Sequence, residues 1–251
     1  MKRFLAFSLL LACVLNNSAF AAELKVLVTG AFKPVASALI PGFEQRTGHK
    51  VVLDNGTAGG LVKRIAEGEA FDVAILTPAG VKELAAAGKV QGDSAANVAR
   101  VAIGVAVKDG APKPDIGTVP AFQQALMNAR AIGMIDPASG GSSGIYVAKL
   151  FEKMGIAAQL KPKLVLVPGG LVAERLVTGE ADIAIHQISE ILAMPGVTLV
   201  GPLPAEIQNY TVYAAAVSAK PGNAAGAKAF LDTLRGAEAA ATMKAKGMEA
   251  P

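Results

Sequence analysis

A loop-helix-strand segment occurs twice in this chain, 110 positions apart. The first copy runs Gly59-Gly60-Leu61-Val62, then nine residues, then Asp72-Val73-Ala74-Ile75. The second runs Gly169-Gly170-Leu171-Val172, nine residues, and Asp182-Ile183-Ala184-Ile185. Each joins a glycine turn to an amphipathic helix, a Gly-Glu break (Gly68-Glu69, Gly179-Glu180) and a short apolar strand. A solenoid would repeat at roughly 20–50 residues, so this spacing implies two similar α/β lobes. Facing lobes of this kind bring glycine-opened helix N-termini to both walls of one cleft, a geometry suited to anions.

The first 21 residues have a separate character. Lys2 and Arg3 precede an apolar run from Phe4 to Leu15, and Ala19-Phe20-Ala21 supplies a small-x-small cleavage site. That is the pattern of a secretory signal peptide, too short to span a membrane. Its loss would leave 22 Lys and Arg against 20 acidic residues, too little charge to favour nucleic acid. The single cysteine, Cys13, lies inside this leader. Leu10-Leu11-Ala12-Cys13 resembles a lipoprotein cleavage box, but the Ala-x-Ala site fits better. Without Cys13 the mature chain has no disulfide, no thiolate metal ligand and no cysteine nucleophile.

Beyond the leader, strand-like apolar runs alternate with helical periodicity, the pattern of βαβ units and a mainly parallel sheet. Strands are predicted at 24–28, 50–53, 73–76, 131–135, 164–167 and 183–185. Helices are predicted after Phe32 through Thr47, from Gly60 to Glu67, as a short helix ending near Gly88, from Pro120 to Arg130, after Ser143 to Met154 and from Gly170 to Val177. The long apolar runs Val98 to Val107 and Tyr210 to Ser218 read as strands crossing between the lobes. Helices at 223–234 and 237–246 then return to the first lobe. The division expected is 1–21 leader, 22–104 plus 213–251 lobe one, and 105–212 lobe two.

Four loops lie between a predicted strand's C-terminal end and the next helix, where open α/β sheets bind ligands. Loop one is Thr29-Gly30-Ala31-Phe32 and loop two runs from Asn55 through Thr57 and Ala58 to Gly59. Loop three, Ala138 to Gly144, contains Ser139, Ser142 and Ser143. Loop four centres on Pro168 and Gly169. Small residues allow close approach of backbone N–H groups, hydroxyls add donors, and helix N-termini add partial positive charge. Glycine, serine and threonine also make ordinary turns and N-caps; repetition across two lobes favours a ligand site. His186 and Gln187 end the second copy's strand and aim at the same cleft, with Thr77 as the counterpart in the first. Lys33 and Arg64 sit in helical turns near the rim. His49 reads as a solvated loop residue, and Asp72 and Asp182 as structural caps.

Other chemistries are poorly supported. Two histidines 137 positions apart offer no metal site, and no cofactor is indicated. Asp136 is the only acid near the four loops, so paired carboxylates for acid–base work are missing. The serines of loop three make no nucleophile elbow.

Taken together, these segments resemble a type 2 periplasmic solute-binding protein, nearest to the molybdate-binding branch. The matching stretches are Val28 to Phe32, Arg64 to Ile75, Ile135 to Ile156, and Gly179 to Ile185. The resemblance implies two lobes with mainly parallel sheets joined by two crossover strands. It also implies a periplasmic monomer that takes a small anion, a molybdate-like oxyanion or small carboxylate, and passes it to the membrane permease of an ABC transporter. In two places the chain departs from that branch. Thr29-Gly30-Ala31-Phe32 stands where a small-serine run is typical, and His186-Gln187 where a tyrosine often follows the strand. Some proteins of this appearance are aconitate isomerases, which shift a double bond in a tricarboxylate by proton transfer. On that alternative His186 would be the base and Ser142 its assistant. A sensor partnered by a membrane kinase uses the same fold.

Overall fold

The computed structural model describes residues 23–251; the leader and the alternative cleavage site at Cys13 lie outside the described residues. The first half contains β1 (Glu23–Thr29), α1 (Lys33–Thr47), β2 (Lys50–Gly56), α2 (Ala58–Ala66), β3 (Val73–Leu76) and α3 (Pro78–Ala86). A long strand, β4 (Ala96–Lys108), leads to α4 (Val119–Asn128), β5 (Ile132–Ile135), α5 (Ser142–Lys153), α6 (Ala157–Leu160) and β6 (Leu164–Val167). Then follow α7 (Glu174–Val177), β7 (Ile183–Gln187), α8 (Ile188–Ile191), β8 (Val197–Pro202), β9 (Tyr210–Val217), α9 (Ala224–Leu234) and α10 (Ala237–Ala245).

The strand order is β2-β1-β3-β9-β4-β7-β5-β6, with β8 also on β4. β1 runs parallel to β2 and β3, and β5 runs parallel to β6 and β7, so both halves have the same three-strand centre. β4 joins them. Its first half, from Ala96 to Ala102, pairs antiparallel with β9, while Ile103 to Ala106 pairs antiparallel with β7. Adjacent antiparallel strands therefore join the halves.

Helices cover each sheet on both faces, as parallel strands require. One core lies under α1, α9 and α10 and includes Leu39, Phe43, Tyr213 and Phe230, with the Phe43 and Phe230 rings edge-on at 5.2 Å. The opposite face buries Leu61, Ile65, Leu76 and Leu84 beneath α2 and α3. In the other half, Phe122, Val147 and Phe151 fill one face, and Val172, Leu176 and Ile191 the other. The terminal helices thus pack on the first half. Gly48 ends α1 with φ of 73°, a left-handed stop that suits glycine.

The two aspartates of the repeat have equivalent tasks. Asp72 accepts the Lys25 amide at 2.7 Å, and Asp182 accepts the Arg130 amide at 2.8 Å. Each carboxylate thus closes the start of the neighbouring parallel strand, β1 or β5.

Several elements depart from expectation. β2 continues through Asn55 and Gly56, because they pair in register with Val28 and Thr29. That pairing sets loops one and two side by side. The second repeat's helix is only one turn, α7, instead of starting at Gly170. Gly170 has φ of 85°, and the residues after it close with tight i→i+3 bonds, Glu174 to Leu171 and Arg175 to Val172. β8 and α8 have no counterpart in the predicted elements.

Candidate functional site

The four loops meet at the C-terminal edges of β1, β2, β5, β6 and β7, and they enclose a cleft of about 40 Å³. Thr29, Gly30 and Ala31 of loop one line it, with Asn55, Gly56, Thr57 and Ala58 of loop two. Gly141, Ser142 and Ser143 of loop three, Gly169 and Gly170 of loop four, and His186 and Gln187 complete most of the wall. Ile135, Glu190 and Tyr213 also line it. None of these residues is a lysine or arginine.

Some residues singled out from sequence lie elsewhere. Phe32 is fully buried in the first core, its ring 6.5 Å from that of Tyr213. Gly144 packs against β5: a Cβ there would lie 2.3 Å from the Ile135 carbonyl oxygen. Pro168 is exposed outside the cavity. Ser139 turns its hydroxyl onto the Asp136 carbonyl, and its own carbonyl accepts from Thr57 Oγ1 across the cleft. Gly59 belongs to the same seam. Its amide donates to Gly140 O at 3.0 Å, and a Cβ on Gly59 would meet Gly140 Cα at 2.9 Å. Backbone touches backbone here, so the halves are in contact along loops two and three. Arg64 is tied to Asp54 and to Glu69, which hold its charge away from the cavity. Glu69's pKa is lowered to about 2 by hydrogen bonding to that guanidinium.

Counted from the shared aspartates, His186 matches Leu76 and Gln187 matches Thr77, so Thr77 is not the equivalent of His186 as the sequence reading had it. Thr77 instead caps α3, its Oγ1 accepting the Gly80 amide at 3.3 Å.

The helix N-termini divide into two kinds. α2, α3, α4 and α9 are capped by their own side chains: Thr57, Thr77, Thr118 and Asn223. The 12-residue α5, whose Ser142 and Ser143 face the cleft, has Gly141 at its N-cap and no side-chain cap. The Gly30–Phe32 turn after Thr29 also lacks one. First-turn amides are intrinsically unsatisfied, so both ends present N–H donors and partial positive charge.

Among the described residues, three buried side-chain polar atoms have no hydrogen-bond partner: Thr29 Oγ1, His186 Nδ1 and Gln187 Oε1. All three residues line this cleft. An unpartnered buried polar atom costs about 1–3 kcal/mol, and three of them in one cleft leave hydrogen-bonding capacity there that the described residues do not use. Gln187 Nε2 donates to Ser142 Oγ at 3.3 Å and Thr211 Oγ1 at 2.8 Å. Both hydroxyls can donate as well as accept, so the amide can turn over and present its N–H group to the cleft.

His186 Nε2 lies 3.1 Å from Glu190 Oε2, one helical turn later. Burial pushes the imidazole pKa down to about 3 and the Glu190 carboxyl up to about 8. Both are therefore uncharged near neutrality. Tyr213 is likewise held protonated, by burial first and then by Glu190. Its hydroxyl faces Ser142 and Thr29, though Thr29 Oγ1 completes no hydrogen bond. Sequence reasoning missed Glu190 and Tyr213. The His-x-x-x-Glu spacing was visible at Glu190, whereas Tyr213 sits within an apolar run that resembles plain core. Among the described residues no group of three or more histidine, cysteine or acidic side chains is arranged to hold a metal.

Residues 24–249 match the family described as bacterial extracellular solute-binding protein. A relative from Pseudomonas sp., aconitate isomerase, is 31% identical over 232 residues, spanning 90% of this chain and 87% of that protein. Among solved structures, the Azotobacter vinelandii periplasmic molybdate-binding protein superposes with a TM-score of 0.75 at 23% identity, over 91% of this chain and 100% of that one. A sulfate-binding protein of Mycobacterium tuberculosis gives 0.74 at 18% identity, over 91% and 87%. At those identities the two structures speak for the fold, including its mixed α/β lobes. With the family match running through nearly the whole described chain, this protein belongs to the bacterial extracellular solute-binding proteins.

Proposed function

We propose that this chain is a periplasmic receptor that closes on a small anion and delivers it to the permease of an ABC transporter. The observation that carries the reading is the cluster of unpartnered Thr29, His186 and Gln187 atoms, set beside the uncapped α5 terminus in a cleft lined by no lysine or arginine. Uncharged donors hold an anion through hydrogen bonds and helix partial charge, without a side-chain counter-ion. A neutral His186 fits this role: with its Nε2 accepting from the protonated Glu190 carboxyl, Nδ1 carries the hydrogen and donates. A cleft of about 40 Å³ holds roughly three water-sized groups at about 10–15 Å³ each, which suits one tetrahedral oxyanion or one carboxylate. Melting temperature measured with sulfate, molybdate, malonate and cis-aconitate tests it. At a concentration a hundred times Kd, a true ligand adds about 2.7 kcal/mol of apparent stability. No shift with any of the four would overturn the reading.

The His186–Glu190 pair favours a second reading, isomerisation of aconitate, with support from the 31% identical relative. In the other tautomer Nε2 bears the hydrogen and Nδ1 is a bare lone pair. It would take a proton from the substrate methylene and return it to the far alkene carbon, moving the double bond with no redox change. Glu190, accepting from the Nε2–H, would orient the ring. Turnover of cis- to trans-aconitate, abolished in His186→Ala, would establish it. Binding of cis-aconitate without turnover would eliminate it.

A further inference from the structure

Behind the cleft wall lies a second compartment of about 230 Å³, several times larger than the cleft itself. The two share Gly30, Asn55, Gly170 and Glu190, so they adjoin along one partition. The outer compartment adds Lys33, Ser37, Leu171 and Ala193. Lys33 is exposed and makes no ion pair with any described carboxylate. It opens the 15-residue α1, where the helix dipole disfavours a cation. A lysine at that end is unfavourable locally unless something negative comes to it. Ser37, four residues on, lies on the same helical face. Leu171 and Ala193 give the compartment an apolar wall.

Resting on the anion reading above, we propose that Lys33 and this compartment form a second acid-binding subsite, so that the ligand is an organic di- or tricarboxylate rather than a tetrahedral oxyanion. One carboxylate occupies the amide- and hydroxyl-lined cleft, where the histidine and glutamine atoms lack partners. The carbon chain crosses the partition where the two compartments share Gly30, Asn55 and Gly170, beside the Glu190 carboxyl that already packs against Gly30. The outer carboxylate then pairs with Lys33 beside Leu171 and Ala193. This arrangement supplies the one cation that a multiply charged ligand needs and the inner cleft lacks.

Calorimetric titration of the mature chain with sulfate, molybdate, malonate and tricarballylate tests the assignment. The variants are Lys33→Gln, which removes the charge, and Ala193→Phe, which fills the compartment without altering charge. Both positions are exposed, so unchanged ligand-free melting certifies the fold. Tricarballylate is expected to bind wild type more tightly than sulfate. Lys33→Gln should weaken it about five- to tenfold and reduce its dependence on salt, leaving sulfate unaffected. Ala193→Phe should also weaken tricarballylate alone. If wild type binds only sulfate or molybdate, or if both variants bind tricarballylate as wild type does, the subsite is overturned while the inner anion cleft stands. If none of the four anions binds, both readings fall together.

Discussion

Leu76 and His186 hold the same place in the two copies of the repeat, at the end of the short strand that follows the shared aspartate. Leu76 is wholly buried among Leu27, Leu61 and Ala214 and raises no polar question. His186 is equally buried, 1% exposed, but brings two ring nitrogens, of which one finds Glu190 and the other finds nothing. The next residues diverge in the same way. Thr77 caps the nine-residue α3. Gln187 caps nothing, and α8 is a four-residue helix that turns Glu190 back onto His186. One copy satisfies its polar groups within its own half. The other leaves them facing the cleft, and such local departures from self-consistency are what functional sites look like.

The glycines of the repeat show the asymmetry reversed, and they offer the largest effect. Gly59 touches Gly140 across the seam, whereas its counterpart Gly169 would place a Cβ 4.0 Å from Thr57 Cγ2, an ordinary contact. Gly59→Ala therefore forces backbone against backbone, and the only relief is to part the halves. Anion affinity is expected to fall about 100-fold, since the ligand must then supply the free energy of closure. Ligand-free melting should barely move. Gly169→Ala should bind nearly as wild type does. Equal losses in the two variants, read by titration calorimetry, would show that the seam does not set closure.

Acid and base titrations sharpen the contrast at His186, because Leu76 has no proton to exchange. Unfolded, the imidazole and carboxyl have pKa values of 6.5 and 4.5; folded, burial moves them to about 3 and about 8. From about pH 4.5 to 6.5 the unfolded state has the extra proton on His186 and the folded state has it on Glu190, so the two slopes cancel. Above 6.5 only Glu190 acts. The folded chain keeps a proton the unfolded chain has lost, and stability falls by up to about 1.4 kcal/mol per pH unit until pH 8. Below 4.5 only His186 acts, and stability falls toward pH 3 at a similar rate. Denaturant melts across pH should show a plateau with two shoulders. Glu190→Gln should flatten the alkaline shoulder and keep the acid one; an alkaline limb that persists in this variant would exclude Glu190 as its source.

The lobes were legible in the sequence because their signals are local and repeated. The glycine turns, the Gly-Glu breaks and the strand after each aspartate recur at one spacing, and each predicted strand appears within a few residues. The second repeat's helix was overestimated because Gly170 takes a left-handed conformation just before Leu171, which apolar spacing alone does not reveal. Of the candidate residues, those at strand ends reached the cleft; Phe32 did not, because the chain turns into the Gly30–Phe32 helical turn and drives the ring into the core. Tyr213 and Glu190 depend on packing between halves far apart in sequence. Loop one also meets α8 through Ser189 Oγ, which donates to Ala31 O at 2.8 Å. No pattern within either segment encodes such a meeting.

The smallest effect separates holding the fold from holding a ligand. Thr77 and Gln187 occupy matching positions, and the two side chains answer to different demands. Thr77→Ala removes an N-cap from α3 and is expected to cost about 1 kcal/mol of stability, with anion affinity unchanged. Gln187→Leu loses the bonds to Ser142 and Thr211 but also removes the unpartnered Oε1. Deleting a buried atom that lacks a partner offsets much of that loss, so stability should stay within about 1 kcal/mol of wild type. Anion affinity, read by calorimetry, should instead fall about tenfold, the factor that about 1.4 kcal/mol commands. A Gln187→Leu protein that melts several degrees lower yet binds anion normally would make Gln187 a brace between β7, α5 and β9, and the second copy of the repeat would then be as self-contained as the first.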